Sequence, residues 1–110
     1  MVLATTVEYI RYVCEQLPPC GVVRYRKMFG EYMVYMDEKP ILTVCDNTVF
    51  VKKLPQLAEV MANAAVGFPY EGAKEHYILD MDDPALAAAA VGILLSVTPL
   101  PKKRKKGADS

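Results

Sequence analysis

The sequence predicts an α+β domain: a mainly antiparallel five-stranded sheet with three helices, in the order α-β-β-β-β-α-β-α. Three observations carry that prediction. Residues 22–52 hold four short runs rich in Val, Tyr, Ile, Phe and Thr, joined by turns short enough to favour antiparallel neighbours. Apolar residues ahead of them recur at helical spacing. Behind them runs an uncharged stretch bounded by prolines, Pro84 to Pro101, which is 18 residues long.

The first helix opens on Thr5 and Glu8, whose spacing matches a capping box, a hydroxyl and a carboxylate each satisfying a backbone donor. Val7, Ile10, Cys14 and Leu17 then form one apolar stripe, and Pro18-Pro19 ends the helix because neither proline can donate a backbone hydrogen bond. Strands are predicted over Val22–Met28, Glu31–Asp37, Ile41–Asp46 and Thr48–Lys52, punctuated by Gly30, by Asp37-Glu38-Lys39-Pro40 and by Asp46-Asn47. The middle strands are apolar on both faces: Tyr32, Val34 and Met36 point one way, Met33 and Tyr35 the other. Ile41 and Cys45 likewise oppose Leu42 and Val44. A sheet with one wet face would alternate cleanly with polar residues, so helices, a loop or a second subunit must cover both sides. Leu54-Pro55 opens a second, shorter helix through Ala62. A loop centred on residues 67–72 follows, then a fifth strand over His76–Met81. Asp83 caps the last helix, with Pro84 in its first turn and its body from Ala85 to Val97; Pro99 and Pro101 stop it. A helix without charge on any side is expected in the core or at a subunit contact.

The formal charge of zero conceals two parts. Residues 1–100 hold 8 basic and 12 acidic side chains, a net of −4, whereas residues 101–110 hold 5 basic and 1 acidic, a net of +4. The first part reads as one domain and the second as a disordered basic tail. No basic segment followed by an apolar run marks a secretory signal, and the Pro84–Pro101 stretch is too diluted by small residues to read as a membrane span. Three cysteines without C-x-x-C spacing (Cys14, Cys20, Cys45) argue for reduced thiols in the cytoplasm. His76 is the single histidine, so no metal or cofactor site is expected.

Arg26-Lys27-Met28-Phe29-Gly30, then Tyr32–Asp37, Pro40-Ile41-Leu42 and Cys45–Lys52 resemble the TfoX/Sxy amino-terminal domain family. The likeness continues through Phe68-Pro69-Tyr70 and the strand at Tyr77, and covers residues 5–97. Glu31 and Glu38 stand where many members carry a second glycine. The resemblance implies a secretion-chaperone-like α+β fold and a link to regulation of natural competence in bacteria. Longer relatives act there as transcriptional co-activators and carry a second, carboxy-terminal domain; this chain is read as the first domain standing alone. The family supplies no catalytic residue.

The expected function is a non-enzymatic regulatory or adaptor domain that contacts a second copy of itself or another protein through the sheet and the uncharged helix. The alternative is a nucleic-acid-binding accessory protein. Arg24 and Arg26 lie roughly 7 Å apart on one strand face, with Lys27 beside them, and suit adjacent phosphates. They equally suit a solvated face paired with Glu31 and Asp37. Lys102, Lys103, Arg104, Lys105 and Lys106 attract polyanions without defining a specific site. Met28, Phe29 and Gly30 are read as structural, closing the strand and its turn. Phe68, Pro69 and Tyr70 form either the lid of an apolar pocket or an anchor for their loop. A nucleophile could be assembled only from Cys20 or Cys45 with His76, and no spacing requires these to meet.

Overall fold

The computed structural model of the chain describes residues 5–18, 21–28 and 31–100. Pro19, Cys20, Phe29, Gly30, the side chain of Met28 and the tail cations Lys102 to Lys106 lie outside the described residues.

The first helix, α1 (Val7–Gln16), is capped one residue later than expected: Thr6 Oγ1 accepts from the Tyr9 amide at 3.1 Å. Thr5 has another task. Its buried hydroxyl accepts from the Asn47 amide at 3.2 Å while Asn47 Oδ1 accepts from the Thr6 amide at 3.1 Å. This pair of bonds staples the helix entry to a hairpin turn. The buried stripe is accordingly Ile10, Val13 and Leu17, with Val7 exposed and Cys14 half-buried, a correction to the predicted stripe.

Four strands follow as a meander: β1 (Val23–Met28), β2 (Glu31–Met36), β3 (Lys39–Cys45) and β4 (Thr48–Lys52). The turns at Asp37-Glu38 (φ 51° and 69°) and Asp46-Asn47 (φ 52° and 55°) hold both central residues in the left-handed region, the type I′ geometry whose twist matches that of the strands. A two-residue turn returns the chain at once, which is why β3 begins at Lys39 rather than Ile41.

The predicted second helix is a single 3₁₀ turn, Pro55–Leu57, followed by irregular turns. No side chain caps it, and in it and the turns beyond only Leu57 and Met61 are buried, too little to hold a longer helix. A two-residue strand unforeseen from the sequence, β5 (Val66–Gly67), pairs with β6 (His76–Ile78). The latter is shorter than predicted because the chain turns away at Met81-Asp82. Asp83 caps α2 (Pro84–Val97) by accepting from the Leu86 amide at 3.1 Å, as expected. Among the described residues the fold is therefore α+β, with two α-helices and an antiparallel sheet of six strands in the order β1-β2-β3-β4-β6-β5.

Register decides which residues share a face. Tyr32, Val34 and Met36 align with Leu42, Val44, Val49 and Val51, and these join Ile10 and Val13 of α1 and Ala90, Val91 and Leu94 of α2 in one core. This is the inner face. A register shift at Val34/Tyr35 places Ile41 as an extra residue, so it is buried in the same core as Leu42 instead of opposing it. Lys39 Nζ donates to the Leu95 carbonyl at 2.8 Å, satisfying an acceptor in the last turn of α2. The uncharged α2 is buried along one stripe only; Ala85, Ala88, Ala89, Gly92 and Ser96 lie exposed on its other side. No helix among the described residues is long and apolar enough to cross a membrane.

Candidate functional site

The opposite, outer face of the sheet is built from Arg24 and Arg26 of β1, Glu31, Met33 and Tyr35 of β2, Thr43 and Cys45 of β3, Phe50 and Lys52 of β4, and His76 and Ile78 of β6. Phe50 is buried, yet outside the helix-covered core. Met33, Tyr35, Thr43, Cys45, His76 and Ile78 are half-buried. The two-sided apolar character of the middle strands thus has a partial answer: helices seal the inner face, while the segment from Phe68 to Glu75 covers only part of the outer one.

Within that segment Pro69 is buried and Tyr70 is exposed, and both line a hollow of about 190 Å³ with Glu31, Met33, Thr43, Lys52 and His76. Phe68 is 61% exposed and lines no cavity found on this face. Lys52, Tyr70 and His76 also border a second, wider hollow of about 590 Å³ that includes Lys53, Lys74 and Glu75. Met33, Thr43 and Lys52 border a third, of about 130 Å³, with Phe50 and Leu54. The first two hollows share Lys52, Tyr70 and His76 and together form a groove on the outer face, with Lys52 where they meet.

The sequence-predicted cations separate in the structure. Arg24 is engaged: its Nη2 and Nε lie 2.7 and 3.0 Å from the Glu38 carboxylate, and its guanidinium sits 4.7 Å over the Tyr35 ring. Arg26, on the same face, is exposed, and its side chain makes no hydrogen bond or ion pair with any described residue. Lys27 aligns with Tyr32 and so belongs to the inner side of this edge strand. At the far end of the groove Lys53 pairs with Glu75 at 2.9 Å. The His76 Nδ1–H donates to the Lys74 carbonyl at 2.7 Å, which fixes the tautomer and leaves Nε2 as the ring's other polar atom.

Glu31 is the anomaly of the site. Its Oε1 is buried with no hydrogen-bond partner among the described residues, and burial pushes its carboxyl above the usual carboxylate range. Cys45 and His76 are not brought together: they align with Thr48 and Lys52, four residues apart along β4 and hence about 13 Å. Burial first, with the nearby acids, also raises the Cys45 thiol, disfavouring the thiolate a nucleophile needs. Among the described residues no group of three or more His, Cys, Asp or Glu side chains is placed to hold a metal ion.

Sequence reasoning did not single out Glu31, Lys52, Lys53 or Lys74 as site residues. The available signal was alternation: Thr48, Phe50 and Lys52 share a face, so a cation two residues from a buried aromatic marks the edge of an apolar surface.

No family model matches the chain, and no solved structure matches it. It is 38% identical over 107 residues to the uncharacterised 12.7 kDa protein in the trpE 5′ region of Spirochaeta aurantia, an alignment covering 94% of this chain and 91% of that protein. The chain belongs to the family of that Spirochaeta aurantia protein.

Proposed function

We propose that the protein is a non-enzymatic, cytoplasmic regulatory or adaptor domain of the TfoX amino-terminal kind, acting through contact of its outer sheet face with a second copy of itself or another protein. One observation carries this reading: the outer face is apolar at Met33, Tyr35 and Ile78 but only half-covered, whereas the inner face of β2, β3 and β4 is sealed. Burial of such side chains stabilises a complex by roughly 25 cal/mol per Å² of apolar surface, a contribution that salt does not screen. The resemblance to TfoX/Sxy domains suggests transcriptional control of competence as the setting. The test is affinity purification of the intact chain beside Met33→Glu, a change at the middle of that face. Partners retained by the wild type through about 0.5 M salt and lost by the variant support contact through this face; equal retention by both refutes it.

A second reading has its own observation. Arg26 is exposed and unengaged among the described residues, and Lys52 and Lys74 lie on the same side of the sheet. If phosphate contact dominates, retained nucleic acid should fall steeply between about 50 and 200 mM salt. Arg26→Ala should weaken it and flatten that dependence.

A further inference from the structure

The polar ends of the groove differ in sign, and that difference carries an inference about a small ligand. Where the groove widens, Lys53 and Lys74 join Lys52 and His76 around the hollow, and Glu75 is the one acid lining it, its carboxylate taken by Lys53. At the narrow end stands Glu31, with one carboxylate oxygen buried and without a partner among the described residues. Between them the wall is Met33, Pro69 and the Tyr70 ring. A buried acceptor left unsatisfied costs about 1–3 kcal/mol. A residue that breaks a local rule without evident compensation is expected where a site serves a ligand.

We propose that this groove binds a nucleoside phosphate. Its phosphate meets the lysines, its base packs against Tyr70 and Pro69, and an amine-bearing base edge donates to Glu31. With Lys53 paired to Glu75, Lys52 and Lys74 supply two positive charges, which suit a dianion better than a single carboxylate. Guanine fits the narrow end best, since its ring N–H and exocyclic amine lie side by side and match the two oxygens of a carboxylate once the Glu31 side chain turns its shielded Oε1 toward the hollow. Uracil presents one N–H flanked by carbonyls that repel it. The wide hollow alone, about 590 Å³, falls within the roughly 300–1,000 Å³ usual for small-molecule sites. The proposal needs only one chain, but the groove shares Met33 with the partner-contact face, so ligand and partner compete for the same surface.

The test is an amide ¹H–¹⁵N titration of the full chain with guanosine monophosphate, and separately with uridine monophosphate, guanosine and inorganic phosphate. Guanosine monophosphate should give saturable shifts at Glu31, Thr43, Lys52, Tyr70 and His76. Each of the other three probes should bind at least about tenfold more weakly, the effect of 1.4 kcal/mol. The double variant Lys52→Ala/Lys74→Ala should lose about tenfold or more in affinity, and Glu31→Gln should abolish the preference for guanosine over uridine monophosphate. The folded wild type showing no saturable shift up to about 5 mM, weaker than any affinity of about −3 kcal/mol, would overturn the proposal. So would shifts centred on Arg26, or equal binding of the two nucleotides.

Discussion

Replacing Glu31 by Gln removes a charge that the fold accommodates at a cost. The Glu31 carboxyl is raised by burial, so the folded state favours its protonated form. The sign follows directly. For a group whose folded value exceeds its unfolded value, the associated stability is fully present below the unfolded value, about 4.3 for Glu. It is lost as pH rises through the raised folded value. At pH 7 the wild type has lost it, whereas the amide never ionises. Gln keeps a polar atom at the same unpartnered position, so the variant removes only the charge, and the solvent that reaches the half-buried side chain holds that effect to about 1 kcal/mol. For a domain of this size that is roughly 4–8 °C in Tm. Thermal melts followed by circular dichroism should therefore show Glu31→Gln melting higher than wild type at pH 7, with the gain shrinking to little near pH 4. A variant no more stable at pH 7, or a gain equal at both pH values, would refute the reasoning.

Other substitutions probe the elements that position the site. Thr6→Ala removes the α1 cap and should cost about 1 kcal/mol in urea unfolding, whereas the predicted cap role for Thr5 would leave it nearly silent. Gly21→Ala should be destabilising by about 1–3 kcal/mol, because a Cβ there would stand 2.7 Å from Asp37 Oδ2 and 2.8 Å from Met36 Cγ, beside the Val22–Asp37 bonds that close β1 onto β2; the urea midpoint reads it. Glu38 adopts φ 69°, a conformation costing a non-glycine residue roughly 1–2 kcal/mol, while its solvent-exposed pair with Arg24 contributes little. Glu38→Gly should therefore raise Tm, and by releasing Arg24 it should strengthen retention on a polyanion column at low salt.

Much of the architecture was legible because local signals and fold agreed. Thr48–Lys52 is bounded as predicted, since strict alternation runs from a two-residue turn. Asp83-Pro84 marked the start of α2 for the same reason. The failures share a physical cause. Thr5 and Thr6 offer equivalent hydroxyls, and what chooses between them is Asn47, 41 residues from Thr6 along the chain. The residues after Leu54 have helix-compatible composition, but a helix there would need more than Leu57 and Met61 to anchor it. Ile41 reverses face because a bulge, invisible in the alternation, inserts a residue. The same limit applies to the site. That both sheet faces are apolar could be read directly, whereas the choice between lid and loop anchor for Phe68, Pro69 and Tyr70 could not. The groove itself exists only once β6 pairs with β4 and aligns His76 with Lys52.

The most direct test of the outer face as a contact surface is sedimentation equilibrium of the intact chain at micromolar concentration, beside Met33→Glu with its circular dichroism unchanged. The predicted result is twice the 12.2 kDa chain mass for the wild type and a single chain for the variant. A single-chain mass for both, or a dimer that Met33→Glu leaves intact, would contradict self-association through that face.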